Sequence, residues 1–293
     1  MGKSMIDGFD HVMIAVRDLD ETSRKYRQLG FEVVPGGRHP GFGTHNALVR
    51  LGWDFLELIA IRDPQERALL GPRGAGLTHF LKARQGGFVD VILETHATDQ
   101  LAERLAAAGV NFGAPFSLGR VRPDGLATKN RILPTGPGSR RQLYPSLIEW
   151  EQPDPERLSP EGQAPHANGA IKAAAIAIIV DDLNAAKRAY VEVLGLPVSE
   201  EEFVAELSAR RLRCTAGSLT IDLLAAAGTG VVQSTLAAMG EGLFEVRLRV
   251  KDLARSRSWL TQAGLAPRPA PGVPGGWLLP EESTVGARLV LVE

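Results

Sequence analysis

A unit of about 60 residues is written four times along this 293-residue chain, and no other property restricts its fold so strongly. Each copy reads as an apolar strand, a helix ending on an apolar-Gly-apolar step, and further strands. Copy one opens at His11, passes Asp18-Leu19 and closes its helix on Leu29-Gly30-Phe31. Copy three opens at Ala175, passes Asp182-Leu183 and closes on Leu194-Gly195-Leu196; copy four opens at Glu245, passes Asp252-Leu253 and closes on Ala263-Gly264-Leu265. Copy two is fainter, running from Phe88 and Asp90 to Ala108-Gly109-Val110. In copy one, Val12, Ile14 and Val16 alternate with His11, Met13 and Ala15, as a strand with two distinct faces requires. Asp18 or Asp20 suits the helix N-cap, and Gly30 its left-handed stop.

A β-α-β-β-β unit covers one face of its small sheet with the helix, so the other face must meet a second unit. Pairing the copies two by two predicts an α+β architecture: tandem domains, each of two β-α-β-β-β modules forming a curved sheet of about eight strands around a cleft. The boundaries fall at residues 1–151 and 170–293. The polar, proline-bearing stretch 152–169 reads as an interdomain linker.

Thirty-three basic against thirty-four acidic residues leave a net charge of −1, which speaks against nucleic acid or an anionic membrane as partner. No apolar run reaches the roughly 18–20 residues needed to span a bilayer. The single Cys214 excludes an intramolecular disulfide and suits a reducing compartment, so a cytoplasmic location is expected.

In such a sheet the faces away from the helices converge, and polar residues there are the place to look for chemistry. Strand alternation turns His11 and Glu57 inward. Counting back from the helix-closing glycine of copy two places Asp90 where His11 stands, and Glu149 is read as the counterpart of Glu57. One imidazole and three carboxylates suit a divalent cation with mixed N/O ligation, such as Mn, Fe, Ni, Co or Zn. Buried carboxylates need a partner, and a metal would serve all of them at once. The bland alternative is pairing with Arg50 or Lys129. The equivalent positions of the second domain read as Ala175, Asp222, Glu245 and Leu291, which leaves at most two ligands and marks a degenerate copy.

Three segments carry a family resemblance: Phe9-Asp10-His11-Val12, the loop from Gly37 through His39, Gly43, Thr44, His45 and Asn46 to Ala47, and Phe55-Leu56-Glu57-Leu58. The chain resembles the vicinal oxygen chelate superfamily, and within it the glyoxalase-like group. That resemblance implies a metal at the cleft centre chelating adjacent oxygens of a substrate, in a superfamily of lyases, epimerases, dioxygenases, transferases and metal-free drug-binding proteins; the fold alone does not name the reaction. Extradiol dioxygenases and glyoxalase I place His where this chain has Asp90.

In the glycine-bearing loop, His39, His45 and Asn46 are candidate substrate contacts, although strict alternation turns His45 to the helix side, and a self-bonded turn is the alternative. The basic run Arg120, Arg122, Lys129, Arg131, Arg140 and Arg141 suggests an anionic substrate at the cleft mouth, against a default of solvated charge. His79, His96 and His166 receive no role. Three readings follow. The first is a metal-dependent lyase or isomerase that stabilises an enediolate, with Glu149 or Glu57 moving the proton. The second is a metal-free binding protein that sequesters a drug or metabolite. The third is an iron-dependent ring-cleaving dioxygenase. The partner expected is a small molecule, with homodimerisation left open.

Overall fold

The computed structural model describes residues 4–121, 125, 127–136, 141–151 and 164–293. Its first module is β1 (Ile6–Val16), α1 (Leu19–Gln28), β2 (Val34–His39), β3 (Thr44–Leu51) and β4 (Asp54–Ile61). Helices α2 (Pro64–Ala68) and α3 (Pro72–Ala83) lead to the second module: β5 (Gly86–Thr95), α4 (Thr98–Ala107), β6 (Phe116–Val121), β7 (Ala127–Leu133) and β8 (Ser146–Trp150). The third is β9 (Ala170–Val180), α5 (Leu183–Lys187), β10 (Glu202–Val204), β11 (Ala209–Ala216) and β12 (Leu219–Ala226). After α6 (Val231–Met239), the fourth runs β13 (Gly242–Val250), α7 (Leu253–Gln262), β14 (Arg268–Pro269), β15 (Trp277–Leu278) and β16 (Leu289–Val292). The fourfold β-α-β-β-β repeat is therefore the architecture.

Asp18, Asp182 and Asp252 cap their helices by accepting from the backbone N–H of Glu21, Asn184 and Arg255. The interval from Asp182 to Gly195 is one residue longer than from Asp18 to Gly30 or Asp252 to Gly264. The extra residue is absorbed where α5 widens into a π-turn over Arg188–Val193, which keeps the cap and the glycine stop in place.

Modules one and two close into a barrel in the order β1-β4-β3-β2-β6-β7-β8-β5, while modules three and four form an eight-stranded sheet in the order β10-β11-β12-β9-β13-β16-β15-β14. The helix-side residues of both sheets, Val12, Leu56 and Leu101 with Ile176, Ile221 and Leu289 among them, merge into one core. The inner faces keep separate clusters, the barrel's closed by Leu77 and Leu81 of α3 and the second sheet's by Val232 of α6. Two equivalent tyrosines tie the layers together. Tyr26 of α1 donates its hydroxyl to Thr284 O, and Tyr190 of the π-turn donates to Leu143 O. Both side chains are fully buried, each worth on the order of 1.5–3 kcal/mol of apolar burial.

Residues 152–163 of the expected linker lie outside the described residues, but its end is firmly docked. His166, assigned no role from sequence, accepts from Glu32 N–H at Nδ1 (2.8 Å) and donates from Nε2 to Arg50 O (2.6 Å). Asn168 donates to Leu29 O. Among the described residues, no helix is long and apolar enough to cross a membrane.

Candidate functional site

The inner face of the β1-β4-β3-β2 half of the barrel gathers the polar side chains of His11, His39, Thr44, Asn46, Arg50 and Glu57. β1 runs parallel to β4 with Met13 beside Glu57 and His11 beside Phe55, so alternation sends His11, Phe55 and Glu57 inward together. The His11 ring stacks on Phe55 with centroids 4.3 Å apart, and the Arg50 guanidinium lies 4.6 Å from the Phe55 ring centre. Glu57 Oε2 is 3.6 Å from His11 Nε2, and Glu57 Oε1 is 3.8 Å from His39 Nε2. Asn46 Nδ2 donates to Glu57 Oε1 at 2.6 Å. Glycine at position 36 makes room for this, since a Cβ there would collide with Asn46 Oδ1. Each imidazole is oriented from behind: His11 Nδ1 bonds Asp10 Oδ1 at 2.5 Å, and His39 Nδ1 bonds Thr44 Oγ1 at 2.9 Å. Trp150 Nε1 donates to the other Asp10 oxygen at 2.6 Å.

These contacts set the charges. Burial by itself would lower the pKa of His11, but the hydrogen bond to Asp10, then the contact with Glu57 and the charges of both carboxylates, raise it from 6.5 to about 9. Burial by itself would raise that of Glu57, but the hydrogen bond and charge of His11, the charge of His39 and the Asn46 amide bring it from 4.5 down to about 2. At neutral pH an imidazolium thus faces a carboxylate inside the barrel.

The other expected ligands are placed differently. Asp90 does line the cavity, but Val91 N–H donates to its Oδ1 and Ser146 Oγ donates to its Oδ2, both at 2.8 Å. Glu149 is a correction. Ser146, Ile148 and Trp150 of β8 line the cavity, so the intervening Glu149 points outward, where Thr98 N–H donates to it and Arg131 lies 4.0 Å away. The register explains the misreading: Met13 and Ile92 stand equally far before Gly30 and Gly109, and they pair with Glu57 and Ser146 respectively. Ser146 is therefore the counterpart of Glu57. In the second sheet the same count pairs Arg247 with Val290, which replaces Leu291 as the equivalent position.

Of the basic run, Lys129, Arg131 and Arg141 sit away from the cavity. Lys129 and Arg131 alternate with the cavity-lining Thr128, Asn130 and Ile132, and Arg131 pairs with Asp99 on the outer face at 2.7 Å. Arg141 donates to Met239 O and Leu243 O of the second sheet. Arg122 and Arg140 lie outside the described residues. His45 is turned away from the cavity, as alternation predicts, and its pKa is lowered by burial and by the charge of Arg62.

The donor set does not fit a resident metal. Among the described residues, no group of three or more His, Cys, Asp or Glu is arranged to hold an ion. His11 Nε2 and His39 Nε2 approach different oxygens of Glu57, at 3.6 and 3.8 Å. In the second sheet the two equivalent carboxylates are claimed by guanidinium groups. Arg247 pairs with Asp222 at 2.6 Å and with Glu245 at 2.8 Å, Arg213 with Asp222 at 2.8 Å, and Arg288 with Glu245 at 2.9 Å.

Asp10 is the functional residue that sequence reasoning missed. As the neighbour of His11 it belongs on the opposite face, but the β1–β5 register shifts between Phe9 and His11, and the bulge lets both side chains meet. Around the polar floor lies a cavity of about 330 Å³ whose walls are largely apolar, among them Met13, Ile59, Phe42 and Phe116, the last two stacked at 5.5 Å.

The fold and cleft agree with the comparisons. Residues 9–194 match the family described as "Glyoxalase-like domain", and residues 175–277 match the "Glyoxalase/Bleomycin resistance protein/Dioxygenase superfamily". The chain belongs to the glyoxalase-like family of the vicinal oxygen chelate superfamily. No curated protein matches it. Among solved structures it is similar to a hypothetical protein from Staphylococcus aureus, at 14% identity and a TM-score of 0.69 over 97% of this chain and 98% of that one. A mutant of 4-hydroxymandelate synthase from Streptomyces coelicolor matches at 14% identity and a TM-score of 0.67, over 98% and 92% of the two chains. At these identities the likeness is one of fold.

Proposed function

We propose that this chain is a small-molecule lyase or isomerase of the glyoxalase type that moves a proton on a substrate with adjacent oxygens, using His11 where relatives would use a metal. The observation that carries this reading is Glu57: a buried carboxylate bracketed by two imidazoles on the floor of an apolar cavity, each imidazole fixed from behind. Buried ion pairs add little to stability over apolar packing, so this arrangement is better explained by chemistry than by folding.

The 3.6 Å between His11 Nε2 and Glu57 Oε2 is longer than a hydrogen bond. A substrate carbonyl oxygen lodged there accepts from the imidazolium, and its entry loosens the pairing that keeps Glu57 acidic. Glu57 then takes a proton from the neighbouring carbon. The C–H pair forms the C=C bond of an enediol, and the carbonyl π pair moves onto the oxygen facing His11. His11 gives its proton to that oxygen and takes back the proton of the neighbouring hydroxyl, and return of the carbon-bound proton from Glu57 to the adjacent carbon completes an isomerisation.

The test is hydrogen exchange at the α-carbon of small α-hydroxy ketones and aldehydes in D2O, followed by NMR. Exchange is expected with wild-type protein, unchanged by a chelator, and on the order of 10²–10⁴-fold slower in Glu57→Gln. The apolar walls favour one second reading, a binding protein that sequesters its ligand, and tight binding without exchange would establish that instead. Oxygen consumption on adding ferrous iron would favour the dioxygenase reading.

A further inference from the structure

Thr128 and Asn130 stand on the inner face of β7, and neither belongs to the proton-transfer machinery. They are 2% and 4% exposed and line the cavity. Thr128 Oγ1 and Asn130 Oδ1 have no hydrogen-bond partner among the described residues. Buried polar atoms are nearly always paired, and leaving one unpaired is costly, so two on one strand face point to a ligand.

Their position says which part of that ligand. In the closed barrel order, β7 lies four strands from β4 in either direction, so its inner face looks across the cavity at Phe55 and Glu57. Beside Asn130 the inner side chains Leu118, Ile132 and Trp150 carry no charge, while Thr128 pairs in register with Arg120. An ionised carboxylate there would leave Asn130 Oδ1 without a donor. A hydroxyl satisfies both residues, donating to Asn130 Oδ1 and accepting from Thr128 Oγ1–H.

We infer that the substrate is a two-ended molecule: adjacent oxygens at Glu57, a flat apolar body across the cavity, and an uncharged hydroxyl held by Thr128 and Asn130 on the opposite wall. This deepens the proposed function and rests on it for the oxygen-bearing end. Lys129 and Arg131 of β7 face outward, so neither reaches that end of the substrate.

Three probes test it by calorimetric titration: 2-hydroxyacetophenone bearing 4′-hydroxyl, 4′-hydrogen or 4′-carboxylate. The hydroxyl compound is expected to bind wild-type protein on the order of tenfold more tightly than the unsubstituted one, and the carboxylate more weakly than either. Asn130→Leu and Thr128→Val should erase that preference while leaving 2-hydroxyacetophenone binding within about twofold. A preference that survives both substitutions overturns the inference. The melting temperature of the ligand-free protein is an independent arm. Removing an unpaired buried polar atom should hold or raise it, by up to roughly 2–4 °C, whereas a fall with both variants shows structural partners and overturns the inference. If none of the probes binds, the vicinal-oxygen reading fails at its own end, and the melting temperatures decide the β7 wall alone.

Discussion

Replacing Glu57 by Gln removes the charge that faces His11 while keeping an oxygen for Asn46, and the consequence should depend on pH in a defined way. The displacement of His11 from 6.5 to about 9 corresponds to about 3 kcal/mol at roughly 1.4 kcal/mol per pH unit. The displacement of Glu57 from 4.5 to about 2 is largely the same interaction seen from its other end, so the two are not added. Asp10, 2.5 Å from His11, retains part of it, which leaves about 1–2 kcal/mol for Glu57→Gln to remove. Both side chains are more than nine-tenths buried, so solvent screening takes little from this figure. His11 has a folded pKa above its unfolded value, so its contribution is complete below about pH 6.5 and is lost as pH rises through 9. Glu57 has a folded pKa below its unfolded value, so its contribution is present above about pH 4.5 and lost as pH falls through 2. Urea unfolding should therefore show wild type ahead of Glu57→Gln by a constant margin between pH 4.5 and 6.5, shrinking steadily towards pH 10. NMR titration of the His11 ring should show its pKa moving down in the variant while staying above 6.5. A margin undiminished at pH 10, or a wild-type His11 that titrates near 6.5, would refute the coupling.

Tyr26→Phe and Tyr190→Phe each remove a hydroxyl donor from an interlayer carbonyl, and each should cost about 1 kcal/mol in thermal unfolding, with no effect on ligand binding. Arg247→Met removes the partner that Asp222 and Glu245 share while Arg213 and Arg288 keep one ion pair on each, and should destabilise by about 1.5–3 kcal/mol, read by urea titration; a neutral outcome would show that the remaining pairs suffice. Added Ni, Zn or Mn should leave the wild-type melting temperature unchanged. In the double variant Asp90→His with Ser146→Glu, which gives the second module the donor types of the first, Ni should raise it; failure would mean the strand equivalence Glu57–Ser146 is wrong.

Alternation is a local property, and wherever strands are regular it placed residues well: His11 and Glu57 inward, His45 outward. It failed where local regularity fails. The bulge between Phe9 and His11 brought Asp10 to the site against the two-residue period, and the long connection before β8 hid which of its residues matches Glu57. The basic side chains of β7 look like one cluster in sequence, yet successive residues of a strand belong to opposite faces.

The repeat of capped helix, glycine stop and flanking strands determined by itself that four β-α-β-β-β modules would form and pair, because caps, periodicity and the glycine's left-handed backbone act within a few residues. Tertiary structure alone decided the chemistry of the two clefts. Closure of the first barrel set His11 and His39 beside Glu57 and left Thr128 Oγ1 and Asn130 Oδ1 on the opposite wall with no partner among the described residues. In the second sheet, Arg247 reaches from β13 to claim Asp222 on β12 as well as Glu245 on its own strand. Those outcomes turn on strand register and on contacts between residues far apart in the chain, which no local pattern encodes.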